Sequence, residues 1–173
     1  MACEITTGIS LGCRDSAGGV KEFYIANVPA TGLGITADAS GNITALTGTT
    51  FFKYVPRKKT GMWSDDITAN DANGSVFYDQ KALIPIAGMT QAKRNAVQLL
   101  AKANMVVIVK DQVDKYWLMG QANGITLATS NAGSGTDYGD RNGYVLNFEG
   151  GEPAPAPTVD YAAFSGIIST TTL

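Results

Sequence analysis

Apolar side chains recur with a helical period only once along this 173-residue chain. Between Thr90 and Ala103 they fall at Ala92, Ala96, Leu99, Leu100 and Ala103, spaced i, i+4, i+7, i+8 and i+11, which is one face of an amphipathic helix. Thr90 is placed to cap its start and Asn104 to form its exit, while Gln91, Lys93, Arg94, Asn95, Gln98 and Lys102 make the wet face. Elsewhere apolar residues alternate with polar ones or form short runs, broken by clusters of Gly, Asn, Asp and Ser. No repeat of roughly 20–50 residues is visible, which speaks against a solenoid. The expected fold is mainly β with one α-helix, an antiparallel β-sandwich or half-open barrel flanked by that helix.

The expected strands follow from the period of two. Val20–Val28 places Phe23 and Ile25 on one face, and a turn at Ala39–Asn42 joins Leu33–Ala37 to Ile43–Leu46. Thr50–Lys58 and Met62–Thr68 read as the arms of a hairpin around Thr60-Gly61. A turn at Asn70–Gly74 leads into Val76–Ile86, where Pro85 lacks a ladder donor. After the helix, Asn104–Asp111 contains the run Val106–Val109 of a strand buried on both faces, and Asp114–Met119 returns through Gln112-Val113. Ile125–Thr129, a Gly-rich loop over Ser130–Asn142 and Gly143–Phe148, with Tyr144, Leu146 and Phe148 inward, close the set. The organisation expected is an N-terminal arm over 1–19, a β domain over 20–152 with its helix at 90–103, and a tail over 153–173. That tail opens with the polyproline-like spacer Pro153–Pro157 and continues, almost uncharged, through Tyr161, Phe164, Ile167 and Ile168. Such an apolar tail is expected to dock on its own domain or on a neighbour.

Composition narrows the chemistry. There is no histidine, which removes the usual general base and the commonest metal ligand. Two cysteines, Cys3 and Cys13, make no disulfide framework, and a zinc site lacks ligands. The formal charge of −2 disfavours a strongly cationic nucleic-acid binder. The opening Met1–Gly8 has no basic segment followed by an apolar one, and no apolar run nears the roughly 20 residues of a membrane span. A soluble protein made in a cytoplasm is expected.

Three motif matches lack the context their chemistry needs. Gly8-Ile-Ser10-Leu-Gly12 has the spacing of a nucleophile elbow, without a preceding sheet or a histidine to take the proton. Gly32-Leu-Gly34-Ile-Thr-Ala37 has the spacing of a dinucleotide loop, but a turn follows where a helix N-terminus is required. Asp71-Ala-Asn73-Gly74 would put Ala69 and Gln80 where a calcium loop needs carboxylates. Asn42-Ile-Thr44 and Asn73-Gly-Ser75 are glycosylation sequons only in a secreted chain. Asp65 and Asp66, neighbours on a strand, point to opposite faces and make a poor acid–base pair. Neither enzymatic activity nor a cofactor or metal is expected.

The most suggestive constellation is Lys53, Arg57, Lys58 and Lys59 interleaved with Phe51, Phe52, Tyr54 and Trp63. It reads as a stacking surface for single-stranded nucleic acid, as a hairpin that docks on an acidic neighbour, or as an ordinary solvated hairpin. The acids for such docking would be Asp137, Asp140, Glu149 and Glu152. Charge is uneven along the chain: two bases against four acids in residues 1–50, nine against four in 51–110, and two against seven in 111–173. Opposite faces of this kind either stack copies head to tail or neutralise each other within one fold.

The order of strands, long hairpin, strand, single helix, strands and Gly-rich loop resembles the tail tube proteins of tailed bacteriophages and related contractile injection machines. The resemblance rests on Gly12-Cys13, Gly18-Gly19-Val20-Lys21 and Phe23-Tyr24-Ile25-Ala26 near the start. It also rests on Gly135-Thr136 through Asp140-Arg-Asn-Gly-Tyr144 to Phe148, covering about residues 12–160 in all. It implies a subunit that assembles with itself into sixfold rings, stacked into a tube that conducts DNA without reading its sequence. Other virion proteins would be further partners, the phage tail the location, after assembly in the host cytoplasm, and no membrane is involved. A hairpin at Thr50–Thr68 would bridge subunits or rings. Subunit and ring contacts are then expected from Phe52, Lys53, Tyr54, Arg57, Lys58, Lys59, Trp63, Asp65, Asp66, Asp137, Asp140, Glu149 and Glu152. The alternatives are a head decoration, neck or baseplate component, or a β-sandwich module recognising carbohydrate or a receptor through Tyr116 or Trp117.

Overall fold

The computed structural model describes residues 7–10, 17–72 and 74–171. Cys3, Cys13, Gly12 and Asn73 lie outside the described residues, and with them the thiols, the end of the elbow match and one residue of the calcium-like turn. The fold is mainly β with a helix at its flank, as the sequence predicts. Eight strands form sheet A: β1 (Val20–Asn27), β2 (Gly34–Ala37), β3 (Ile43–Thr47), β4 (Phe51–Tyr54), β7 (Met105–Asp111), β8 (Tyr116–Met119), β11 (Thr158–Val159) and β12 (Ile168–Ser169). Their spatial order is β12-β4-β1-β7-β8-β11-β3-β2, and the sheet curls into a half-barrel. Sheet B has the order β5-β6-β10-β9, from β5 (Met62–Asn70), β6 (Ser75–Ala87), β10 (Gly143–Glu152) and β9 (Thr126–Gly133).

The central strands β1 and β7 of sheet A are buried on both faces, which accounts for their apolar runs. Phe23 and Ile25 of β1, with Met105, Val107 and Val109 of β7, face sheet B and meet Ala82, Ile84, Tyr144, Leu146 and Phe148. The alternate residues Tyr24, Ala26, Val106 and Ile108 fill the inside of the curl with Ile43, Leu46, Phe51, Leu118, Val159 and Phe164. Two cores therefore share one central pair of strands.

The helix α1 spans Gln91–Leu100, shorter than the expected 90–103. Thr90 caps it as predicted, its side chain accepting from the Lys93 N–H, but the helix ends at Ala101 rather than Asn104. Its inner face is set by Val97 and Leu100, while Leu99, expected inward, is 72% exposed. No residue of α1 is fully buried, so the helix lies across the mouth of the sandwich without closing it.

The expected hairpin over Thr50–Thr68 does not form. Tyr54, Lys53 and Phe52 of β4 pair with Phe23, Tyr24 and Ile25 of β1 in sheet A, while β5 pairs with β6 in sheet B. Residues 55–61 are a corner between the sheets: Pro56 has no donor for a ladder, Lys59 adopts φ 63°, and Thr60 N–H donates to the Arg57 carbonyl. The long hairpin is β5–β6, paired from Met62↔Leu83 to Asn70↔Ser75. Because β5 begins opposite Leu83, β6 has no partner on that side from Ile84 onward, and Pro85 sits where no donor is needed.

Strand β9 runs on to Gly133, so Ser130–Gly133 belong to the sheet and the loop is confined to 134–142. The Asp65 carboxylate accepts from the Ala156 N–H at 2.7 Å and the Pro157 carbonyl from Leu118 at 2.9 Å, guiding the chain from sheet B to sheet A. There β11 inserts between β8 and β3, the helical turn α2 (Tyr161–Phe164) buries Phe164, and β12 adds beside β4, parallel to it. The tail docks on its own domain.

Candidate assembly surfaces

Alternation along β5 puts Trp63, Asp65, Ile67 and Ala69 on the core side, opposite Ala82, Gln80, Tyr78 and Val76 of β6. Trp63, Gln80 and Ala82 reach the core, but Ile67 is 66% and Val76 56% exposed. The hairpin thus extends past the body with its core-side apolar row uncovered. The opposite margin repeats the pattern: Ser130 and Ala132 of β9 lie on the core side across from Leu146 and Tyr144, yet both are exposed. Sheet B overhangs sheet A at both edges. Its outer face carries Asp66 across from Asp79, with Lys81 paired to Asp79 at 2.7 Å and Glu149 opposite Lys81. These carboxylates hold the Lys81 ammonium above its usual range, Asp79 foremost.

The basic–aromatic constellation is dispersed. Phe51 is buried inside the curl, Tyr54 packs between the sheets, and Trp63 lies against Trp117 with ring centroids 5.4 Å apart. Phe52 alone of the four is well exposed, at 43%. Lys53 is engaged at 2.6 Å by Glu22, and only Arg57, Lys58 and Lys59 project freely from the corner. Among the described residues, no row of aromatics beside cations lies open for nucleotide stacking. Burial of the Glu22 carboxyl favours its neutral form. Hydrogen bonds from Lys53 and from the Tyr24 hydroxyl, with the charges of Lys53 and Lys110, outweigh burial, so Glu22 ionises below its ordinary 4.5. Burial and the bond to Glu22 in turn hold the Tyr24 phenol protonated throughout the physiological range. A carboxylate with a depressed folded pKa stabilises above its unfolded pKa, and that stability is lost as pH falls through the folded value. Glu22→Gln should therefore be less stable than the parent at pH 7, with the gap closing below 4.5, as thermal melts across pH would measure.

The expected acidic partners do not gather. Asp137 and Asp140 sit in the 134–142 loop, where Asp140 accepts from the Thr136 and Asp137 N–H groups; these backbone bonds, Asp137's first, hold its carboxyl below the usual range. Glu149 faces outward from sheet B. Glu152, expected at the surface, is only 3% exposed: its oxygens accept from Ala122, Asn123 and Gly124 N–H at 2.8, 2.8 and 3.1 Å. It is the anchor of the 120–124 turn, helped by Gln80, which accepts from Gly120 N–H at 2.9 Å. Nothing in the sequence marks it as buried except its place on the core-side row of β10, opposite Tyr78.

Tyr116 stacks on Tyr161 of the tail at 5.6 Å, and the Trp117 indole donates to Asp111 at 3.0 Å, so both rings are engaged within the chain. The Gly32–Ala37 match ends in β2 and a turn in which Asp38 accepts from Ser40 and Asn42, with no helix to follow. Among the described residues, no cluster of three or more metal-ligating side chains occurs, and no helix is long and apolar enough to cross a membrane. An apolar groove of about 770 Å³ lies between α1, β1, β4 and the end of β6. No protein-family model matches this chain, and no curated protein does.

Proposed function

We propose that this chain is a structural subunit that assembles with copies of itself through the margins of sheet B, and that it is a tail tube protein of a phage-like particle. The observation that carries this reading is the pair of long, exposed margins, β5 of nine residues and β9 of eight, overhanging on opposite sides of one sheet. Unpaired N–H and C=O groups on such edges are templates for pairing with another chain. The four strands of sheet B alternate in direction, so a neighbour related by rotation brings its β9 alongside β5 in antiparallel orientation. The sheet then continues from copy to copy, and a heterologous contact of this kind closes into a ring when the rotation allows. The resemblance to tail tube proteins supplies the sixfold count, the stacking of rings and the passage of DNA; the open margins supply the reason a chain of this shape would assemble. Virion location and contacts with other virion proteins belong to the same proposal.

Charging one margin tests it. Ser130→Lys with Ala132→Lys places two ammonium groups on β9 at exposed positions, so monomer stability should change by no more than about 0.5 kcal/mol. Sedimentation velocity should show large assemblies for the parent chain and a collapse to monomers for the double variant. Unchanged assembly in that variant would exclude β9 as a contact.

A further inference from the structure

The groove beside α1 follows from two local facts. Strand β5 starts opposite Leu83, so no strand covers that flank of Ile84 and Ile86. Over that flank α1 places the small Ala96 beside Val97 and Leu100, which leaves the space between helix and sheets unfilled. The groove measures about 770 Å³ and its lining is mainly aliphatic and aromatic. Concavities of roughly 300–1,000 Å³ with apolar walls and a few placed polar groups are the usual form of a small-molecule site.

Its charges are of one sign. The charged side chains that line it are Lys53 and Lys93. Lys53 is held by Glu22 at 2.6 Å. Lys93 donates to the Ala87 carbonyl at 2.6 Å, makes no ion pair among the described residues, and keeps two further N–H donors. The segments 52–60 and 88–103 around the groove carry seven Lys and Arg and no acid. An apolar trough with one unmatched ammonium at its wall suits an apolar tail with a single anionic head. At 1.5 Å per residue, Lys93 to Leu100 spans about 10 Å and Ala103 prolongs the wall, which suits a tail of about twelve carbons. We infer that the α1–β4 groove binds a long-chain carboxylate, its tail against Ile84 and Leu100 and its head group on Lys93. The site lies within one chain and does not depend on the assembly reading.

Calorimetric titration with sodium dodecanoate, kept below its micelle concentration, tests this against dodecyltrimethylammonium, which has the same tail and the opposite charge. The parent should bind one dodecanoate saturably and the cation at least about ten times more weakly. Each two methylenes removed from the carboxylate should weaken binding about tenfold. Lys93→Met keeps the wall apolar and removes the charge, so dodecanoate should fall to the level of the cation. Ala96→Trp fills the trough and should abolish uptake of both, in a chain whose melting curve shows it folded. Absence of saturable uptake by the folded parent, equal affinity for the two amphiphiles, or undiminished dodecanoate binding by Lys93→Met would each overturn the inference. Co-sedimentation with anionic phospholipid vesicles without uptake of dodecanoate would also overturn it, in favour of a bilayer surface.

Discussion

Phe164→Ala should cost about 4 kcal/mol and lower the melting temperature by about 10 °C, the largest loss expected from any single side chain of the tail. Phe164 is fully buried and packs edge-on against Tyr24, Phe51, Tyr116 and Tyr161, with centroids 5.3 to 5.9 Å apart. Truncation removes the ring's transfer free energy and leaves a cavity that the rigid curl of sheet A cannot collapse around. It also loosens the hold of α2 on the chain between β11 and β12, so hydrogen exchange should speed up at Thr158–Val159 and Ile168–Ser169 before the central strands. Phe164→Leu, which fills most of the space, should lose only about 1.5 kcal/mol. Equal stability of Phe164→Ala and the parent would mean that the tail is not part of the core.

Glu152→Ala should be comparably damaging, by about 3–5 kcal/mol, for an electrostatic reason. The carboxylate is the acceptor for three backbone donors of the 120–124 turn, and each bond to a charged group is worth about 1.5–3 kcal/mol. Removing it leaves those donors without an acceptor in a site that water barely reaches. The turn has little latitude to rearrange: Gly124 adopts φ 82°, and a Cβ there would lie 2.1 Å from Asn104 Oδ1. Glu152→Gln keeps one acceptor oxygen and should fall between alanine and the parent in urea titrations. If glutamine were as damaging as alanine, charge rather than hydrogen-bond geometry would be the decisive part.

What could be read in the residues, and what could not, separates along physical lines. Phe23, Ile25 and Val106–Val109 announce their strands because burial on both faces demands apolar side chains at every position. Thr90 announces the helix start because its cap is local. The Thr50–Thr68 segment misleads because a turn at Thr60-Gly61 between two β-patterned stretches looks the same whether the stretches pair with each other or with β1 and β6; pairing partners are set by distant residues. Ser130–Gly133 was hidden for a different reason: an exposed edge strand needs no apolar pattern, and its composition is that of a loop. Leu99 and Val97 exchange roles because the helix is anchored from one side only. Of the proposed contact margins, β5 was legible as a strand from its alternation; the overhang of the β5–β6 hairpin was not, since it emerges only once β5 is paired with β6.

The most direct measurement is electron microscopy of the purified full-length chain at high concentration, over a range of salt and pH. Self-assembly through sheet margins predicts closed rings in end view, stacking into tubes of constant diameter. Particles that remain single 18.1 kDa subunits under every condition would contradict it.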